Sequence, residues 1–118
     1  MDSSSEPEAP VVLRDEEDTG GSRYLDASLG TDGRLLIEGQ DIGAGVERVF
    51  GEGIREYEWA WTVRPDAIPA AVAALEGTAD ELPLTVIARW SAAHPNADPG
   101  RALKKAGVAV EFWSRAGD

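Results

Sequence analysis

Glu56 and Glu58 stand two residues apart in the run Arg55-Glu56-Tyr57-Glu58-Trp59-Ala60-Trp61-Thr62-Val63. In a strand, successive side chains point to opposite faces, so this spacing sets both carboxylates on one face, roughly 7 Å apart. Glu38 and Glu111 join them if their strands pair suitably, and Asp41 follows Glu38 closely in the chain. Paired carboxylates serve as acid and base in glycoside hydrolysis, or bind a hard cation. Both uses need a pocket, and nothing in the sequence forms one. Charged side chains are mostly just exposed, so the expectation is an acidic surface open to water or to a partner, with no catalytic residue, no metal and no cofactor.

Other chemistries are poorly supplied. There is no cysteine, which removes disulfides, thiol catalysis and cysteine-bound metal clusters. His94 is the single histidine; it falls where a helix should end, a position that suits a cation near the dipole's negative end. The glycines between Gly39 and Gly53 carry no Gly-x-x-x-x-Gly-Lys-Ser/Thr pattern, so a nucleotide loop is not expected. Arg101, Lys104 and Lys105 sit on a short predicted helix and read as dipole partners.

The net charge is −11, from 22 Asp+Glu against 11 Lys+Arg. Such acidity opposes binding to nucleic acid and to anionic membranes, and attracts a basic protein. No apolar run approaches the roughly 20 residues of a membrane span, and the start of the chain lacks the basic and apolar blocks of a signal peptide. The expectation is a cytoplasmic protein.

The elements that must position the carboxylates follow from periodicity. Tyr57, Trp59, Trp61 and Val63 alternate with Glu56, Glu58, Ala60 and Thr62, the pattern of a strand with one aromatic face and one partly acidic face. Arg23–Leu29 and Arg34–Glu38 read as a hairpin around Gly30-Thr31-Asp32-Gly33, whose Asp-Gly pair favours a positive φ. The second of these strands is expected to stop at Gly39, with residues 39–45 as a connector. Val46–Phe50 suits one helical turn.

Three helices should follow. Asp66-Ala67-Ile68-Pro69 and Asp80-Glu81-Leu82-Pro83 look like capped openings, and Asp98-Pro99 opens the third, which Gly107 closes. Ile68, Val72, Leu75, Leu84, Ile87 and Leu103 form their apolar faces. Val108–Ser114 is a last strand, with Glu111 and Trp113 on the side away from Phe112. Residues 1–22, rich in Ser, Pro and acids, read as a disordered acidic tail.

The segments Glu38-Gly39-Gln40-Asp41-Ile42-Gly43, Glu56-Tyr57-Glu58-Trp59 and Phe112-Trp113-Ser114-Arg115 resemble those of small hypothetical proteins from high-GC bacteria, over residues 23–118. That resemblance implies no activity. In size, acidity and lack of cysteine the chain is also similar to immunity proteins of bacterial toxin systems.

Together these observations predict a single α+β domain over residues 23–118. It has two layers: a four-stranded, mostly antiparallel sheet in the order β-β-β-α-α-α-β, with the helices on one face. The predicted function is that of a non-catalytic, protein-binding module for a basic partner. The open sheet face should carry Glu56, Glu58, Glu111 and Trp113, with Gln40 and Asp41 beside its edge. The alternative is a carboxylate enzyme or divalent-cation protein using Glu38, Asp41, Glu56 and Glu58.

Overall fold

The computed structural model describes residues 9–117. The chain is α+β. Its sheet contains β1 (Val11–Asp18), β2 (Gly21–Leu29), β3 (Leu35–Ile42), β4 (Glu56–Val63) and β5 (Glu111–Gly117), side by side in sequence order and antiparallel throughout. Helix α1 (Ala44–Phe50) joins β3 to β4. Helices α2 (Ile68–Ala74), α3 (Pro83–Ala93) and α4 (Pro99–Lys105) lie between β4 and β5.

The sheet has five strands where four are expected, because residues 11–18 of the supposed tail form β1. Residues 1–8 of that tail lie outside the described residues. Composition points to disorder here, but pairing along β2 satisfies the backbone whatever the side chains. Val11 and Leu13 pack against the core, and the register shifts between Val12 and Arg14. Arg14 donates from Nη2 to the carbonyls of Pro95 and Ala97, at 3.1 and 3.2 Å. Arg23, across the pair, bonds Asp18 at 2.7 Å and Glu16 at 3.3 Å, which offsets part of the acidic run.

The β2–β3 hairpin forms as read, with Gly33 at a φ of 89° in its turn. β3 then continues through Gly39 to Ile42 instead of stopping. Gly39 lies opposite Trp59, and a Cβ there would stand 2.2 Å from Trp59 Cζ2. The glycine marks a close approach of indole to backbone, not a strand end.

The register gathers Leu25, Ala27, Leu35, Ile37, Trp61 and Val63 on one face of the sheet. They are buried together with Val72, Leu75, Leu84, Val86, Ile87 and Leu103 of the helices. Trp61 is 5% exposed. Tyr57 and Trp59 are less completely buried than Trp61, and Trp59 packs against the core. They extend along the strand toward α1, where Phe50, Tyr57 and Trp59 stack successively, with centroids 4.9 and 5.4 Å apart.

One helix opening follows its motif. Asp98 caps α4, accepting from the Gly100 amide at 2.9 Å, with Pro99 in the first turn. Gly107 closes the helix at a φ of 89°, with the two return bonds Gly107 N to Lys104 O and Val108 N to Leu103 O. Asp66 and Asp80 cap nothing: the N-caps of α2 and α3 are Ala67 and Leu82, without a side-chain bond. Glu81 instead ties the α2–α3 loop, accepting from Thr78 N at 2.9 Å and from both Arg89 Nη atoms at 2.7 and 2.9 Å. The Arg89 hydrogen bonds and the Thr78 amide pull its carboxyl down to about 2. At the end of α2 the positive φ falls on Glu76, not on Gly77, whose missing side chain makes room for Val86.

The junction between α4 and the sheet is tight. A Cβ on Gly100 would lie 2.1 Å from Trp61 Cγ and Cδ1. Gly100→Ala should therefore cost about 2 kcal/mol despite alanine's better helix propensity, because neither a buried indole nor a helix start can yield cheaply. Urea unfolding followed by tryptophan fluorescence measures it; Arg101→Ala, at an exposed neighbour, should stay within about 0.5 kcal/mol of the parent.

Candidate functional site

The face of the sheet opposite the helices carries the charges. Register sets two rows across it. The first runs Val12, Asp26, Glu38, Ala60, Trp113, and the second runs Asp15, Tyr24, Gln40, Glu58, Arg115. Glu56 and Ile42 pair in the next row, and Thr62 and Glu111 pair on the other side of the first. The structure thus brings together Gln40, Glu56, Glu58, Glu111 and Trp113, as the alternation requires.

Asp41 does not join them. Because β3 runs unbroken through Gln40 and Asp41, the two point to opposite faces, and Asp41 pairs with Tyr57 and Arg23 on the helix side. There it borders a separate depression of about 350 Å³ beside α1, with Val46, Val49 and Phe50. Burial pushes its carboxyl up, against the pull of Arg23 and Arg14.

Two of the open-face carboxylates are already engaged. Gln40 Nε2 donates to Glu56 Oε2 at 2.6 Å, and Arg115 Nη2 donates to Glu58 Oε1 at 2.9 Å. The constellation of Glu38, Asp41, Glu56 and Glu58 therefore does not assemble. Among the described residues no group of three or more His, Asp or Glu side chains is placed to hold a metal ion. His94 sits at the end of α3, its ring stacked on Trp90 at 4.2 Å and its Nδ1 2.8 Å from the Trp90 carbonyl.

A depression of about 230 Å³ opens in the middle of this face. Tyr24 and Trp113 stand at its sides, and Asp26, Glu38, Gln40 and Glu58 supply its polar atoms. Gly39 and Trp59 complete its lining. Trp113 is 54% exposed. Asp26 and Glu38 are direct cross-strand partners, an arrangement in which like charges repel. Asp26 Oδ2 accepts from the Tyr24 hydroxyl at 3.3 Å, while Oδ1 is buried with no hydrogen-bond partner among the described residues. Loss of water contact, and then the charge of Asp26, hold the Glu38 carboxyl above its ordinary value. The same two causes, in the same order, raise the Tyr24 phenol.

Tyr24 and Asp26 are site residues that the sequence reading passes over. A signal for them exists. They alternate with the apolar Leu25 and Ala27, which are buried, and the tight hairpin turn sets Asp26 against Glu38.

Searches against protein-family models, characterised proteins and solved structures found no match to this chain. Among the described residues no helix is long and apolar enough to cross a membrane.

The strain of the carboxylate pair is measurable. An acid raised in the folded state holds its proton more tightly there than in the unfolded chain, so its charge weakens the fold as pH rises through the raised value. Glu38→Gln should therefore be more thermostable than the parent at pH 7. The gain should vanish near pH 3, below the ordinary carboxylate range. Thermal denaturation at intervals across this range checks both limbs.

Proposed function

We propose that this protein is a non-catalytic binding module that receives a basic side chain of a protein partner on its open sheet face. One observation carries the reading: Asp26 and Glu38 oppose each other with no cation paired to either among the described residues, and Asp26 Oδ1 is a buried acceptor lacking a donor. An incoming guanidinium or ammonium supplies the missing charge. Arginine suits the place better than lysine. Its planar fork serves two carboxylates, and its flat face stacks on an exposed indole such as Trp113.

The rest of the face supports that role. Its remaining acids guide encounter with a positive surface, and a central aromatic beside a filled depression supplies most of the affinity. Glu56 and Glu58, held by Gln40 and Arg115, belong to the rim. An immunity-like protein that covers a basic enzyme in the cytoplasm is the form of this reading that agrees with the chain's size and its charge of −11. The same charge opposes binding to nucleic acid and to anionic membranes.

The test is a titration of the ¹⁵N-labelled protein with an arginine-rich peptide, against the same peptide carrying glutamine. Amide shifts should centre on Asp26, Glu38 and Ala60 and on the Trp113 indole. Trp113→Ala should weaken binding by about 1–2 kcal/mol, and Glu38→Lys by more. Charge reversal at Glu56 and Glu58 should act mainly on the association rate and its salt dependence. Shifts gathered on Asp15–Asp18 of β1 would refute the assignment to this face.

A further inference from the structure

The two edges of the sheet are unlike. β1 is protected against pairing: its register is broken by a bulge, Pro10 precedes it, and Asp15-Glu16-Glu17-Asp18 repels any acidic strand that approaches. β5 has no such device. It contains no proline and no lysine, it pairs with β4 in unbroken register, and its residues from Glu111 to Ala116 are all exposed. Even Phe112, Ser114 and Ala116, which face the helix side, are exposed, Phe112 resting against its strand neighbour Trp61, so no described helix overhangs this edge.

We propose that β5 pairs antiparallel with β5 of a second copy, about a two-fold axis at Trp113. Centred there, Glu111 faces Arg115 of the second copy, Arg115 faces Glu111 of the second copy, and Trp113 faces its counterpart. Partners in this register have the same strand parity, so outward amides meet outward carbonyls. Glu111, Trp113 and Arg115 all lie on the open face, so two ion pairs flank an aromatic pair. Glu111 has no ion-pair partner among the described residues. Arg115 spends one Nη on Glu58 and retains further N–H groups. Neighbouring registers lack this match. Centred on Ser114, Arg115 would face Trp113; centred on Phe112, Glu111 would face Trp113.

The product is a ten-stranded sheet whose two open-face depressions lie on either side of the joined Trp113 residues. The proposal does not rest on the basic-partner reading, and its test needs no ligand. Sedimentation equilibrium of the full chain at about 0.15 M salt, where the Debye length is about 8 Å and the net repulsion is screened, should show a reversible dimer. Glu111→Arg and Arg115→Glu each set two like-charge contacts across the axis. Each should raise the dimer dissociation constant at least about tenfold. Mixed in equal amounts, the two variants restore both ion pairs and should form a heterodimer of near-parent affinity. If Arg115→Glu unfolds through loss of its Glu58 bond, Glu111→Arg alone, with Glu111→Gln as an intermediate case, carries the comparison. A monomeric parent, a Glu111→Arg variant that still dimerises, or a mixture of folded variants that stays monomeric would overturn the proposal.

Discussion

Trp61 joins three parts of the molecule. Its indole N–H donates to Asp98 Oδ2 at 3.0 Å, while Asp98 Oδ1 caps α4 through the Gly100 amide at 2.9 Å. Gly100 itself lies against the indole ring. On the other side, Phe112 of β5 packs on Trp61 with centroids 4.4 Å apart. A buried indole N–H without an acceptor costs one to three kcal/mol in a typical core, roughly. One aspartate therefore satisfies a strand and starts a helix at once. Its position sets how far α4 sits from the sheet, and hence where the chain re-enters to make β5.

The burial of the helix side decides what the other side must be. Most large apolar residues in register with Trp61 and Leu25 go into the core, with Phe112 left exposed at the edge, and acidic residues gather at the alternating positions. Some of those charges find a partner along or across the strands, as Glu58 does with Arg115 and Glu56 with Gln40. Asp26 and Glu38 are the pair left facing each other. Exposed ion pairs are worth little individually. An uncompensated like-charge pair with a buried oxygen is a local cost, and both residues line the depression. Cost and space coincide at this spot of the open face.

The edges show a similar contrast between composition and context. β1 is the most acidic strand and reads as a tail, yet it is held by backbone pairing, by Val11 and Leu13 in the core and by Arg14 on the α3–α4 loop. Hydrophobicity counts side chains, and a strand that adds to an existing sheet gains main-chain bonds that no such count includes. Gly39 misleads for the reverse reason. Glycine is unfavourable in a strand on its own account, but here a long-range neighbour, Trp59, requires the missing Cβ.

Local periodicity is what the sequence alone determined. The alternation from Tyr57 to Val63 assigned the faces of β4, the Asp-Gly turn made the β2–β3 hairpin, and Asp98-Pro99 with Gly107 marked both ends of α4. Those features depend on residues a few positions apart, so the chain carries them in full. The open-face placement of Glu56, Glu58, Glu111 and Trp113 was legible in the same way. Tertiary structure decided the rest: that β1 joins, that β3 runs on to Ile42 and turns Asp41 to the helix side, and that Asp26 meets Glu38 between Tyr24 and Trp113. Asp66 and Asp80 cap nothing: their prolines stand three residues on and fall in the first turn, which leaves Ala67 and Leu82 at the N-caps, whereas Asp98 directly precedes Pro99 and is itself the N-cap. Which side chains meet across a sheet is set by the register of strands far apart in sequence. A single residue of slip reverses every face, and only the packed core holds that register.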